Sequence, residues 1–209
     1  MTDKTIYILG AGGHGAVVCE AIRASGASPA AFLDKDKEKQ NSKTMDLPVL
    51  DKTEALESLS PTECAIANGI GEGTTRRKAF LQLREQGFEV HTVIHPSAIF
   101  PADLQIGDGA QLMAGCVIQP RVTIGENVVL NTRCSIDHDC AIGAHSFLAP
   151  GAVLCGDVRI GDASHVGANA TVIEKITIGR NVIIGAGAVV IRSIPDSVTA
   201  VGVPAQILK

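Results

Sequence analysis

The chain has no tryptophan and a single tyrosine, and only 3% of its residues are aromatic. A core must therefore be filled by Ile, Val, Leu and Ala, which favours a thin, regular interior over one built around large rings. Charge of neither sign dominates: 18 Lys and Arg stand against 22 Asp and Glu, a formal balance of −4, which argues against a nucleic-acid surface. No apolar run approaches the roughly 18 residues of a membrane span, and the first residues lack the apolar stretch and cleavage site of a secretion signal. A cytoplasmic protein with no membrane partner is expected. The six cysteines (Cys19, Cys64, Cys116, Cys134, Cys140, Cys155) form no C-x-x-C pair, so zinc ribbons and thioredoxin-like chemistry have no support; buried reduced thiols and no metal are expected.

What the sequence does have is a repeat. From Ile106 through Leu112, Ile118, Ile124 and Leu130 to Ile184 and Val190, an aliphatic residue recurs at every sixth position, fifteen in succession. Six is neither the 3.6 of an amphipathic helix nor the 2 of a simple pleated strand. Four residues after most of these aliphatics stands a small or β-branched residue, such as Ala110, Cys116, Cys134 or Ser164, which suits a narrow interior. Glycine often follows the aliphatic directly, as at Gly107, Gly125, Gly143, Gly161 and Gly179, where a missing Cβ relieves steric conflict. Three such units make one triangular coil of 18 residues, so fifteen make five coils stacked at about 4.8 Å. The pattern resembles the hexapeptide-repeat acyltransferases, and that resemblance, not the period, implies a left-handed parallel β-helix.

Two domains are predicted, 1–95 and 96–209. In the first, Thr5 to Leu9 reads as a buried strand, followed by the loop Gly10-Ala11-Gly12-Gly13-His14-Gly15 and an apolar helix to about Ser25. A second strand from Ala30 ends at Asp34, about where the ribose carboxylate of a dinucleotide fold falls. Helices over 51–59 and 74–87 and strands over Cys64–Ala67 and Glu89–Ile94 complete a small Rossmann-like α/β domain. Its glycine loop serves a tight turn with or without a ligand, but its N–H groups are placed for a pyrophosphate. The domain is too short for a full dinucleotide site, so a nucleotide-linked sugar fits better than NAD.

Chemistry concentrates at Leu130-Asn131-Thr132-Arg133-Cys134-Ser135-Ile136-Asp137-His138-Asp139-Cys140. His138 lies two places past an inward aliphatic, at a corner, with its side chain outward. One coil ahead is Gly156, predicted to leave a gap beside the imidazole that a thioester can enter. An amine or hydroxyl attacking acetyl-CoA must lose a proton, and histidine accepts one near neutrality. Asp139 is the preferred orienting partner and Asp137 the alternative. Cys155, one coil above Asp137, raises an acyl-cysteine route, but no activating base accompanies it. Of the other histidines, His91, His95 and His165 read as structural or surface residues.

The I-L-G-A-G-G-H-G loop, the F-L-D strand end, L-N-T-x-x-x-I-D-H-D-C-x-I-G and a terminal V-G-V-P-A together resemble the NeuD/PglD/PerB family of hexapeptide-repeat sugar acetyltransferases over almost the whole chain. The resemblance implies a homotrimer with acetyl-CoA lying along the β-helix between subunits and a nucleotide-sugar substrate on the N-terminal domain. By position it makes His138 the base, tuned by Asp139, with Asn131 near the reacting centre. It assigns Gly13, His14, Gly15, Asp34 and Lys35 to the sugar nucleotide and Gly156, Ala168 and Ala186 to coenzyme A. One departure stands out: Phe147 occupies the place of a family histidine that helps hold the acetyl carbonyl, and His145 is displaced from it by two residues.

The activity implied is N-acetylation of a UDP-4-amino-4,6-dideoxy sugar, feeding glycan synthesis. O-acetylation of sialic acid or a related nonulosonate is the neighbouring alternative, and a non-catalytic nucleotide-binding or scaffold protein the alternative of another class.

Overall fold

The structure is a computed structural model, and it describes residues 4–208. Two compact units divide the chain between Pro96 and Ser97.

The first unit is a six-stranded sheet. Its elements are β1 (Thr5–Leu9), α1 (Gly13–Ala24), β2 (Ala31–Asp34), β3 (Lys43–Thr44), β4 (Leu47–Asp51), α2 (Lys52–Ser58), β5 (Cys64–Asn68), α3 (Gly73–Glu85) and β6 (Glu89–Val90). The strand order is β3-β4-β2-β1-β5-β6, with every pair parallel except the β3–β4 hairpin. The interior strand β5, between β1 and β6, is buried along its whole length, as parallel strands covered on both faces require. α3 buries Arg76, Ala79, Phe80 and Leu83, the i, i+3, i+4, i+7 stripe of a core-facing helix. Phe80 and Leu83 join Leu9, Leu33, Ile66, Phe88 and Val90 in one apolar cluster, each contributing roughly 1.5–3 kcal/mol by burial.

Two features depart from the sequence expectation. The span Glu89–Ile94 is two short strands, with Val93–Ile94 separate from β6. The β3–β4 hairpin is an addition: its turn runs through Met45 (φ 52°) and Asp46 (φ 64°), the paired left-handed geometry that usually announces itself as Asn-Gly. Met-Asp carries no such signal.

The second unit is a left-handed parallel β-helix. Each two-residue strand pairs in register with the one 18 residues on, as in Ile118↔Ile136, Ile124↔Ile142 and Leu130↔Leu148. Three faces result, and the fifteen sixth-position aliphatics point inward, fourteen of them buried and Ile106 half-buried at the first coil. Each corner needs one residue in the left-handed region, and the series Arg121, Asn127, Arg133, Asp139, His145 holds it at φ 53–63°. Asn and Asp tolerate this conformation best. The glycines that follow the aliphatics have another reason: a Cβ on Gly107 would lie 2.4 Å from the backbone of Glu126 in the next coil. Ser146 and Ser164 line the interior, and each satisfies its hydroxyl by donating to a carbonyl, of Gly161 and Gly179 respectively.

Candidate functional site

In the β-helix, one corner holds titratable groups in mutual contact. It is the turn that follows Ile136, and its counterparts one coil away begin after Ile118 and Leu154. Asp137 folds back to accept from the N–H of His138 at 2.8 Å, so its carboxylate serves the turn. Asp139 turns to the ring: its Oδ2 lies 2.7 Å from Nδ1 of His138. With Nδ1 donating to the carboxylate, Nε2 is the nitrogen left to take a proton. The imidazole is 53% exposed, open to an incoming molecule.

Gly156 lies one coil above His138, and a Cβ built there falls 2.6 Å from Cε1 of the ring and 2.8 Å from Nε2. The space this glycine leaves is therefore filled by the imidazole itself. The expected gap beside the ring is not there; glycine is what allows the ring to lie flat against the coil above.

From below, Arg121 makes a two-pronged contact with Asp139, Nε to Oδ1 at 2.5 Å and Nη2 to Oδ2 at 2.9 Å. Hydrogen bonds from Arg121 and then from His138 hold the Asp139 carboxyl far below the usual carboxylate range. Arg121 is a residue the motif comparison passes over, yet it stands 18 places before Asp139, and counting one coil back finds it. Further acids surround the corner: Asp157 one coil up, itself 3.4 Å from Arg159, and Glu174 one coil above Gly156.

The other named residues of this unit divide between corners. Asn131 sits at the turn before the strand Ser135–Ile136, where its Oδ1 accepts from the N–H of Thr132, and His138 sits at the turn after that strand. Ala168 and Ala186 occupy the Asn131 corner in higher coils, while Gly156 shares the His138 corner. The structure thus does not bring Asn131 beside His138 within one chain, because a strand of the prism face separates consecutive corners. His145 belongs to the third corner, buried, with Nδ1 3.0 Å from Nδ2 of Asn127. Phe147 points outward from a strand and stacks on His165 one coil above, with centroids 5.2 Å apart and planes 5° from parallel. His91 is half-buried, and that burial, partly offset by Glu89, pulls its imidazole below the usual range. Cys155 has its thiol pushed up by burial and then by Glu174 and Asp137, the reverse of an activated nucleophile. All six cysteines are free thiols.

In the N-terminal unit, the glycine loop leads into α1, whose first residue is Gly13 and whose N-cap, Gly12, offers no side-chain cap. A Cβ at Gly12 or Gly13 would meet nothing within 4 Å, whereas one at Gly15 would lie 2.0 Å from the carbonyl oxygen of Gly10. Gly13 therefore leaves open space at the helix start, and Gly15 is required by packing. His14 is half-buried beside Gly15. Asp34 accepts from the N–H of Ala11 at 2.8 Å and of Asp36 at 3.0 Å, with Lys39 at 3.6 Å. Partial burial alone would raise its carboxyl; the N–H donors of Asp36 and Ala11 and the charge of Lys39 outweigh that and hold it low.

Beyond Asp34 opens a cavity of about 400 Å³ lined by Gly10, Asp34, Lys35, Lys52, Ile70 and Lys78, among others. It lies at the carboxyl ends of β1 and β2, the position at which open α/β sheets bind ligands. Desolvation, then the charges of Lys35 and Lys78, pull the Lys52 ammonium below the usual lysine range. Lys52 and Lys78 have no motif of their own in the sequence; only the packing of α2 and α3 brings them to Lys35. Among the described residues, no cluster of His, Cys, Asp or Glu has the arrangement of a metal site, and no helix is long and apolar enough to cross a membrane.

Comparison with known proteins agrees with this two-part fold. Residues 5–83 match the PglD N-terminal domain, and residues 103–132, 121–156 and 157–192 match the bacterial transferase hexapeptide (six repeats). No curated protein matches the chain. Among solved structures, a histidine-to-asparagine variant of perosamine N-acetyltransferase from Caulobacter crescentus, in complex with CoA and GDP-perosamine, is 36% identical over 99% of this chain and 98% of its own, with a TM-score of 0.93. The acetyltransferase domain of PglB from Neisseria gonorrhoeae, in complex with acetyl coenzyme A, is 36% identical over 98% of this chain and 99% of its own, with a TM-score of 0.91. WeeI from Acinetobacter baumannii is 27% identical over 98% of this chain and 100% of its own, with a TM-score of 0.90.

Proposed function

Because the chain belongs to the NeuD/PglD/PerB family of hexapeptide-repeat sugar acetyltransferases, we propose that it moves the acetyl group of acetyl-CoA onto the amine of a nucleotide-linked amino sugar, with His138 as the general base. The observation that carries this reading is the His138–Asp139 pair, with Nδ1 committed to the carboxylate and the imidazole half exposed. The neutral amine attacks the thioester carbonyl carbon as Nε2 accepts an amine proton; the new C–N bond forms, the C–S bond breaks, and the coenzyme thiolate takes a proton to leave as a thiol. Asp139 stabilises the imidazolium in between. Backbone N–H groups supply the contact to the developing oxyanion, since Phe147 cannot and His145 is buried at another corner. Direct transfer is supported over an acyl-cysteine by the raised thiol of Cys155.

The acceptor is an amine rather than sialic acid. Asp137, Asp139, Asp157 and Glu174 share the corner of the base and outnumber Arg121, Arg159 and Lys175, the last bonded through its N–H to the carbonyl of Gly156, so the corner favours an aminosugar over a carboxylate-bearing one. The nucleotide diphosphate lies in the N-terminal unit, on the start of α1 at Gly13, His14 and Gly15 and in the cavity of Asp34 and Lys35, where Lys52 and Lys78 add positive charge. A UDP-linked 4-amino-4,6-dideoxy sugar is the first candidate, and a GDP-linked aminosugar is the competitor suggested by the Caulobacter relative. Acetyl-CoA lies along the β-helix at Gly156, Ala168 and Ala186, two corners that one chain keeps apart; a homotrimer joins the corner of one subunit to that of the next and gives Asn131 access to the reacting centre. The half-exposed Ile183, stacked one coil above His165 and two above Phe147 on one face, is apolar surface suited to such contact.

The test is thiol release from acetyl-CoA with a UDP-aminosugar, a GDP-aminosugar and sialic acid side by side, for the native chain and His138→Ala. A loss of about 10²–10⁴-fold in the variant is expected. Turnover of sialic acid alone overturns the amine assignment, and a fully active variant overturns the base.

A further inference from the structure

Arg121 and Asp139 occupy equivalent corner positions one coil apart, both with left-handed backbone, φ 62° and 63°. That equivalence stacks the two residues, and the guanidinium meets the carboxylate fork to fork. The Oδ2 that accepts from Arg121 is also the oxygen that accepts from His138. Arg121, Asp139 and His138 therefore form one chain of hydrogen bonds running from the coil below to the ring beneath Gly156.

We infer that Arg121 is a positioning residue for acetyl transfer, acting through Asp139 on His138. Its side chain is 68% exposed, and exposed ion pairs contribute little to stability, so holding the fold together does not account for so specific a geometry. Orientation does. Asp139 is half-exposed, and without a second partner its carboxylate is free to rotate away from Nδ1. The planar fork of arginine fixes both oxygens at once, which a point charge cannot do. The fixed Oδ2 then sets the tautomer and the plane of the imidazole.

This inference rests on His138 as the base. The experiment measures kcat and both KM values for Arg121→Met, Arg121→Lys, Asp139→Asn, the Arg121→Met/Asp139→Asn double variant and His138→Ala. Arg121→Met is expected to lower kcat about tenfold with little change in the KM for acetyl-CoA. Arg121→Lys is expected to restore only part of kcat. In the Asp139→Asn background, Arg121→Met is expected to cost nothing further. Equal losses in both backgrounds, or a raised KM for acetyl-CoA at unchanged kcat, overturn the inference, because the guanidinium would then act on its own or on the coenzyme. An active His138→Ala overturns the base reading instead, while an inactive one with additive Arg121 and Asp139 losses leaves the base and removes only the role of Arg121.

Discussion

Gly156 and His138 are locked together across one coil: the ring lies where the Cβ of any other residue at 156 would stand, 2.6 Å from Cε1. A side chain there collides with the movable end of His138 rather than with backbone, so the ring and not the coil gives way.

Gly156→Ala is accordingly expected to leave the melting temperature within a few degrees of native and to reduce kcat by about tenfold or more as the imidazole swings off Asp139. Circular dichroism melting beside steady-state kinetics checks it; full activity in a folded variant would show that the ring position does not matter.

Ser164 is a polar residue inside the prism, donating to the carbonyl of Gly179 at 2.7 Å and accepting from the N–H of Val182 at 3.0 Å. Ser164→Ala strands both backbone groups and is expected to destabilise the β-helix by about 1–3 kcal/mol, seen as a lower urea midpoint at unchanged slope.

Glu72 caps α3, accepting from the N–H groups of Thr74 and Thr75, and bonds from Thr75 and Thr74 pull its carboxyl down to about 2. A depressed carboxylate stabilises the fold above its ordinary unfolded value and loses that contribution as pH falls towards 2. Glu72→Ala is expected to cost about 0.5–1 kcal/mol at pH 7, the lower part of the capping range because the site is exposed. Melts of both proteins from pH 6 to pH 2.5 should converge as the acid protonates.

Cys155→Ala is expected to retain activity within about threefold, because a thiol raised by burial is a poor nucleophile. Trapping of an acetylated protein by mass spectrometry, together with loss of turnover in the variant, would favour the acyl-enzyme route.

Lys52→Gln is expected to weaken binding of UDP or GDP about tenfold, as loss of one charge-assisted contact does, with kcat at saturating sugar unchanged. The native affinity should fall with added salt, and more steeply than that of the variant. Calorimetry at two ionic strengths decides this, and equal affinities would place the diphosphate away from the lysines.

Most of the β-helix was legible in the sequence because its rule is local: an aliphatic every sixth residue, three units per coil, and so a partner 18 residues on. Gly156 above His138 and Arg121 below Asp139 both follow from that count, although only the first stands out, since glycine beside histidine suggests space and an arginine at a turn suggests solvent. The division of Asn131 from His138 also obeys the count. Seven residues apart reads as near in a linear motif, but it is one corner to the next in a triangular coil. The glycine loop and Asp34 were visible as a pattern, whereas Lys52 and Lys78 were not, because they come from separate helices with no shared spacing.

By itself the sequence determined the coil period and the corner that bears an imidazole, since side-chain period and residue size set these without reference to distant parts of the chain; the left hand came with the family resemblance, and the stack outruns the five coils expected, because Thr199–Val201 adds a strand beside Ile183–Ile184. Tertiary structure alone decided that the ring fills the space under Gly156, that Asp137 serves the turn while Asp139 serves the ring, and that Arg121 grips the same carboxylate. Those outcomes depend on rotamers and on angles between neighbouring coils, where a displacement of one ångström makes or breaks a hydrogen bond, and no one-dimensional pattern carries that information.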